Sequence, residues 1–162
     1  MIEKFFLEHQ PATPCLILDL NKAKLNFLTL QSLMPNAKIY YAIKANPHEK
    51  ILKSFIAHGS CFDAASINEI ELILSLGADA EQICYGNVAK KKADIKAAYD
   101  LGVRRFVIDS HEELDKMAEC APQSLIYVRI NTSGKNAVWP LSQKFGCTKE
   151  TAIDLLLNAH AK

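Results

Sequence analysis

Short apolar or β-branched runs recur along this chain about every 20 residues with helical patterns between them, and that alternation constrains the fold most. The runs are "KIYYAIK" from Lys38, "CFDAA" from Cys61, "QICYG" from Gln82, "RFVID" from Arg105 and "LIYVRI" from Leu125. Such spacing suits one strand plus one helix, so it predicts βα units that build a parallel sheet. Glycines punctuate the units: Gly59, Gly77 and Gly102 follow the helical stretches "FIAHG", "LILSLG" and "AAYDLG", where a helix ends with φ > 0. Helix starts are legible as well. Ser66 with Glu69 in "SINE" and Ser110 with Glu113 in "SHEE" fit the capping box, in which side chains satisfy orphan N–H groups.

The stretch "CLILDLNKAKLNFLTLQSLMP" from Cys15 reads as an extra strand and helix leading into the first unit. This divides the chain into residues 1–36, the lead-in, and residues 37–162, five βα units. The helical pattern "TKETAIDLLLNAHA" from Thr148 should deliver a sixth strand, so the sequence is expected to be truncated before it. Parallel strands bury both faces, and a closed barrel of such units has eight strands in typically about 250 residues. An open doubly wound sheet would carry a Gly-rich phosphate turn after its first strand, where this chain has "KANPHE". The expected class is therefore α/β, an incomplete (β/α)8 TIM barrel with about five of its eight units.

Charge narrows the partners. Nineteen basic and eighteen acidic residues leave a net charge of +1, with no basic block longer than "AKKKAD" from Ala89, which argues against nucleic acid and anionic membranes. The start, "MIEKFFLEHQPATP", is too short and too acidic in its apolar patch for a signal peptide, and no run approaches the roughly 18 apolar residues of a membrane span. A cytoplasmic protein is expected. Five cysteines without a C-x-x-C pair suggest reduced thiols, and five dispersed histidines suggest no metal site.

In a barrel of this kind the working residues project from the C-terminal ends of the strands. Lys44 ends the first run, in "IYYAIKANP". A lysine there can be an amine nucleophile toward an aldehyde or a strand-end lysine that snorkels to water. The flanking residues separate these readings. "YYAIKANP" resembles the cofactor-lysine motif of the fold-type III pyridoxal-phosphate enzymes, which include alanine racemase and the barrel-type ornithine, lysine, diaminopimelate and arginine decarboxylases. The resemblance continues through "TPCLILDL", "GSCFDAASINEIEL", "ICYGNVAKKKADIKAAYDLGV", "FVIDSHEEL", "YVRIN" and "WPLSQKFG". Where alanine racemases have a Tyr-Gly-His type sequence this chain reads "ANPHEK", and where diaminopimelate decarboxylases carry a Ser-Gly-Gly-Glu type stretch it reads "SINE". The bacterial ornithine/lysine decarboxylase branch matches best.

The resemblance implies an alanine racemase-like barrel holding pyridoxal 5'-phosphate, with Lys44 on the cofactor aldehyde and Ala42, Asp63 and Arg129 in the cofactor pocket. It makes Asp63 an acid beside the reactive face and Glu69 a second acid of the site. A helix-capping role stands beside each of these readings. Arg129 lies in an otherwise apolar run, so burial and pairing with Asp63 or Glu69 are expected. Lys144, Phe145 and Gly146 resemble a loop near the substrate end and the neighbouring subunit, and Asp109 and Ser110 read mainly as a helix cap. The family's histidine that stacks on the cofactor, its Gly-rich phosphate loop and its β-domain would all lie beyond Lys162. The implied function is the N-terminal portion of a decarboxylase turning ornithine or lysine into a diamine for polyamine synthesis, as a homodimer. The alternatives are a catalytically silent decarboxylase-like interaction module and a racemase-like cofactor-binding protein.

Overall fold

The computed structural model describes residues 2–135, 138 and 144–161. Twelve elements follow one another there: α1 (Ile2–His9), α2 (Leu20–Leu33), β1 (Tyr40–Ala42), α3 (Glu49–Ile56), β2 (Cys61–Ala64), α4 (Ile67–Ser75), β3 (Ile83–Tyr85), α5 (Lys92–Asp100), β4 (Arg105–Ile108), α6 (His111–Cys120), β5 (Leu125–Val128) and α7 (Lys149–Ala161). The five strands are parallel and lie in chain order, β1-β2-β3-β4-β5. Consecutive placement with one helix per crossover is how units of a (β/α)8 barrel succeed one another, whereas a doubly wound sheet reverses order at a switch point. The chain thus forms part of such a barrel. Among the described residues no helix is long and apolar enough to cross a membrane.

Period-2 alternation sorts the strand residues onto two faces. Phe62, Ala64, Ile83, Phe106 and Ile108 are fully buried, and with Tyr85 they join the helix residues Ile70, Ile73, Ile95 and Ala98 in one core. Burying a large apolar side chain in this way contributes roughly 1.5–3 kcal/mol. On the opposite face Tyr40, Asp63, Cys84, Val107 and Tyr127 line a cavity of about 310 Å³. The register sets Ala42 beside Asp63 and Asp63 beside Cys84, so this face converges on one carboxylate.

The expected helix stops are present: Gly59, Gly77 and Gly102 take φ of 75°, 98° and 94° after α3, α4 and α5. Ser66 Oγ accepts from Glu69 N at 3.3 Å, and the Glu69 carboxylate accepts from Ala65 N at 2.6 Å, one residue ahead of the cap. Ser110 Oγ accepts from Glu113 N at 3.3 Å. The Glu113 carboxylate does not close a box there, because it turns to Lys90 and Lys116 instead.

One expected strand is missing. Residues 15–19 are irregular and belong to no ladder, and Leu16 and Leu18 are 87% and 46% exposed. An apolar run becomes a strand only when a neighbour takes its N–H and C=O groups, and none of the five strands does so. The helix after it forms as expected, with Asp19 Oδ1 accepting from Asn21 N and Lys22 N at 2.9 and 3.1 Å. Phe27 of α2 packs on Phe55 of α3, with ring centroids 5.5 Å apart.

Candidate active site

Lys44 stands two residues beyond the strand rather than at its last position. A 3-10 turn over Ile43–Ala45 follows β1; Ile43 is fully buried and pins the turn, while Lys44 is exposed at the mouth of the sheet. The loop behind it is closed locally. The Tyr41 hydroxyl donates to Asn46 O at 3.1 Å, and Asn46 Oδ1 accepts from His48 N at 3.1 Å.

Asp63, the third residue of β2, is half-buried on the cavity face. Burial raises its carboxyl above the ordinary carboxylate range, the charges of Lys44 and Arg129 pull it down, and Glu69 adds to the rise. Cys84 beside it is pushed up to about 11 by burial and by Asp63, so this thiol stays protonated and neutral at physiological pH. Gly86 forms the wall above: a Cβ on it would lie 1.8 Å from Asp63 Oδ1 and 2.8 Å from Asp63 Cγ. Only a hydrogen at that position lets the carboxylate rest where it does. Asn87 Nδ2 donates to Ala65 O at 3.2 Å, joining the turn after β3 to the turn after β2.

Glu69 is partly buried and spends one carboxylate oxygen on Ala65 N, so its observed contact shapes the turn that follows Asp63. Arg129 corrects the sequence reading. It follows β5, is exposed, and has no carboxylate within ion-pair distance among the described residues. The physical reason is the position of β5, which pairs with β4 alone among the described strands, leaving Leu125 and Tyr127 54% and 48% exposed. Its guanidinium lies 5.3 Å from the Phe145 ring centroid instead.

The segment 144–147 is stitched beside this strand end. Ile130 and Cys147 form a parallel bridge, Cys147 N donates to Arg129 O and Asn131 N donates to Cys147 O, both at 2.9 Å. Gly146 sits at φ 98° with its missing Cβ 2.7 Å from Asn131 N, and its N–H donates to Asp109 Oδ2 at 2.8 Å. Asp109 therefore holds this segment, while Ser110 alone caps α6. Lys144 and Phe145 are exposed, Lys144 Nζ being 5.4 Å from the Phe145 ring. Residues 139–143 of the "WPLSQKFG" motif lie outside the described residues.

The mouth thus combines an exposed primary amine, a half-buried carboxylate from the adjacent strand and a guanidinium across the sheet. An amine of this kind can capture an aldehyde, and the carboxylate can hold a cationic group or a proton beside it. The contact between Lys90 and Glu113 escaped the sequence reading: Lys90 lies in the short basic block "AKKKAD", yet it is only 5% exposed, and the sequence marks Glu113 only as a capping-box residue. Glu113 shares a helix face with Leu114 and Met117, and that spacing was the available signal.

Comparison with known proteins agrees with the parallel α/β fold. The model of the family described as pyridoxal-dependent decarboxylase, pyridoxal binding domain, matches residues 20–162. A lysine/ornithine decarboxylase of Selenomonas ruminantium is 41% identical over 144 residues, covering 89% of this chain and 37% of that protein. The crystal structure of lysine decarboxylase from the same organism superposes with a TM-score of 0.86 at 39% identity, over 96% of this chain and 41% of that one. Lysine/ornithine decarboxylase from Vibrio vulnificus, solved with putrescine, gives 0.83 at 30% identity, over 99% and 41%. The chain spans well under half the length of the relatives it matches.

Proposed function

The chain belongs to the pyridoxal-dependent decarboxylases through their pyridoxal-binding domain, and from that premise we propose that it is the N-terminal, cofactor-holding portion of a decarboxylase converting ornithine or lysine to the corresponding diamine. The observation that carries the reading is Lys44 exposed at the strand mouth beside the Asp63 carboxylate, which Gly86 leaves room for. The residues present fit pyridoxal 5'-phosphate at its reactive end: an accessible amine for the aldehyde, a carboxylate next to it, and a cavity lined by a neutral Cys84 thiol with Tyr40, Val107 and Tyr127. When bound, this cofactor supplies an electron sink for the charge left as carbon dioxide departs.

The protein's own groups then have distinct tasks. Lys44 holds the cofactor by its aldehyde, and Ala42, small and in register with Asp63, leaves the approach to that amine open. Asp63 faces the reacting centre, where its raised pKa suits it to hold or pass a proton. Glu69 fixes the turn that carries Asp63, and Arg129 offers a positive charge to an anionic group entering the mouth. Lys144, Phe145 and Gly146 border the substrate end, with Phe145 against Arg129. In this reading residues 37–162 are the barrel domain and residues 1–36 its lead-in. The protein works as a homodimer in the cytoplasm, in keeping with its five unpaired cysteines, and its product enters polyamine synthesis.

The test supplies pyridoxal phosphate and measures carbon dioxide release from ornithine and from lysine. Release that disappears in Lys44→Ala supports the proposal. Release that survives Lys44→Ala, or a failure of the chain to capture the cofactor at Lys44, overturns it.

A further inference from the structure

Five residues beyond β3, Lys90 sits where a lysine is costly. Its side-chain ammonium is fully enclosed, and burial pulls its pKa below the ordinary lysine value while Glu113 opposes that pull. Asn87 O and Val107 O accept from it at 2.8 and 2.7 Å. Its third contact is Glu113 Oε2, 3.1 Å away, an ion pair without hydrogen-bond alignment. An ammonium has three N–H groups, so the site is essentially used up. Glu113 Oε1 also accepts from Lys90 N at 3.2 Å and from Lys116 Nζ, and Lys116 Nζ donates to Lys90 O at 2.6 Å.

Stability alone does not account for this cluster, because well-packed apolar residues in place of a buried ion pair are often as stable or more so. What the cluster does hold is a turn. Residues 86–91 have no helix or strand of their own; besides the buried Val88, polar contacts tie them to both neighbours. On the β4 and α6 side these are the Lys90 contacts. On the β2 side Gly86 N donates to Ala64 O at 2.8 Å and Asn87 Nδ2 to Ala65 O at 3.2 Å. The same turn begins with Gly86, which lies against the Asp63 carboxylate.

We infer that Lys90 and Glu113 are positioning residues, clamping the turn after β3 so that Gly86 and Asn87 keep the Asp63 carboxylate in place at the active site. The inference rests on Asp63 belonging to that site. It predicts that an uncharged pair of good fit would leave the fold intact and let the turn, and with it Asp63, drift toward water.

The test follows the Asp63 carboxyl by carbon-13 NMR against pH in the 162-residue chain, its signal assigned by its loss in Asp63→Asn. The variants are Lys90→Met/Glu113→Leu, which removes both charges together, and Asn87→Ala, which cuts only the link to Ala65. With the turn relaxed, solvation should lower the Asp63 midpoint by roughly half a pH unit or more in each. Borohydride-trapped pyridoxal phosphate on Lys44 should fall about tenfold, since small displacements of a site group are expensive. A folded double variant with an unchanged Asp63 midpoint would overturn the inference; should the double variant not fold, an unchanged midpoint in Asn87→Ala does so. If the unaltered chain captures no cofactor at Lys44, the proposed function fails and the Asp63 titration still decides this inference.

Discussion

Replacing Gly86 by alanine separates the fold from the site within a single methyl group. The added Cβ would lie 1.8 Å from Asp63 Oδ1, against an ordinary carbon–oxygen contact of about 3.3–3.5 Å, so the carboxylate must retreat by roughly 1.5 Å. Backbone strain does not enter, because Gly86 has no positive φ. Overpacking costs about 1–3 kcal/mol, and the loss of glycine's freedom in the unfolded chain returns about 0.4–1 kcal/mol. The obstacle is the far end of a short side chain rather than backbone, which puts the overpacking cost near its lower bound and the net cost at about 0.5 kcal/mol. At about 2–4 °C per kcal/mol for a chain of this size, the melting temperature should fall by only a degree or two. Cofactor capture at Lys44 should fall much further, by about tenfold or more, because a displacement near 1 Å in a site can cost about a hundredfold. Thermal melting by circular dichroism and a pyridoxal phosphate titration read by absorbance measure the two quantities on one sample. A variant that loses a degree or two yet binds as before would refute the placement of Asp63 in the site.

Further consequences concern charge. Glu113→Leu leaves the enclosed Lys90 ammonium without its counter-charge, and breaking one side of such a pair costs about 3–5 kcal/mol; urea unfolding should show it. Arg129→Leu, by contrast, removes an exposed side chain and should change unfolding free energy by no more than about 0.5 kcal/mol in the same experiment. The raised Asp63 carboxyl has a defined sign. A group whose folded pKa lies above its unfolded value contributes stability below the unfolded pKa, and that contribution is lost as pH rises through the folded one. Asp63→Asn should therefore melt higher than the unaltered chain at neutral pH, with the gain shrinking as pH falls through the carboxylate range.

The parallel strands were legible because β2, β3 and β4 are covered on the helix side, which writes residues such as Phe62, Ile83 and Phe106 into short apolar runs. Helix boundaries were legible where one side chain suffices, as at Ser66 and Ser110. The position of Lys44 at the mouth of β1 could be read from the end of a run followed by Asn46 and Pro47. Contacts between units were not legible. Lys90 meets Glu113 across 23 residues and Gly86 meets Asp63 across two strands, and no local pattern records either. Arg129 shows the converse: its apolar flanks suggested burial, which depends on a neighbour for β5 that the run itself cannot specify. The run from Cys15 failed for the same reason, having strand composition without a strand to pair with.

In the proposed function Lys44 is the lysine that takes the cofactor aldehyde. Incubating the chain with pyridoxal phosphate near stoichiometry, reducing with borohydride and mapping the modified peptides by mass spectrometry tests it directly. One dominant modified peptide, carrying Lys44, is expected, with exposed lysines such as Lys4, Lys53 and Lys96 at background and the enclosed Lys90 untouched. Modification spread evenly over the exposed lysines, with Lys44 no more reactive than the rest, would contradict it.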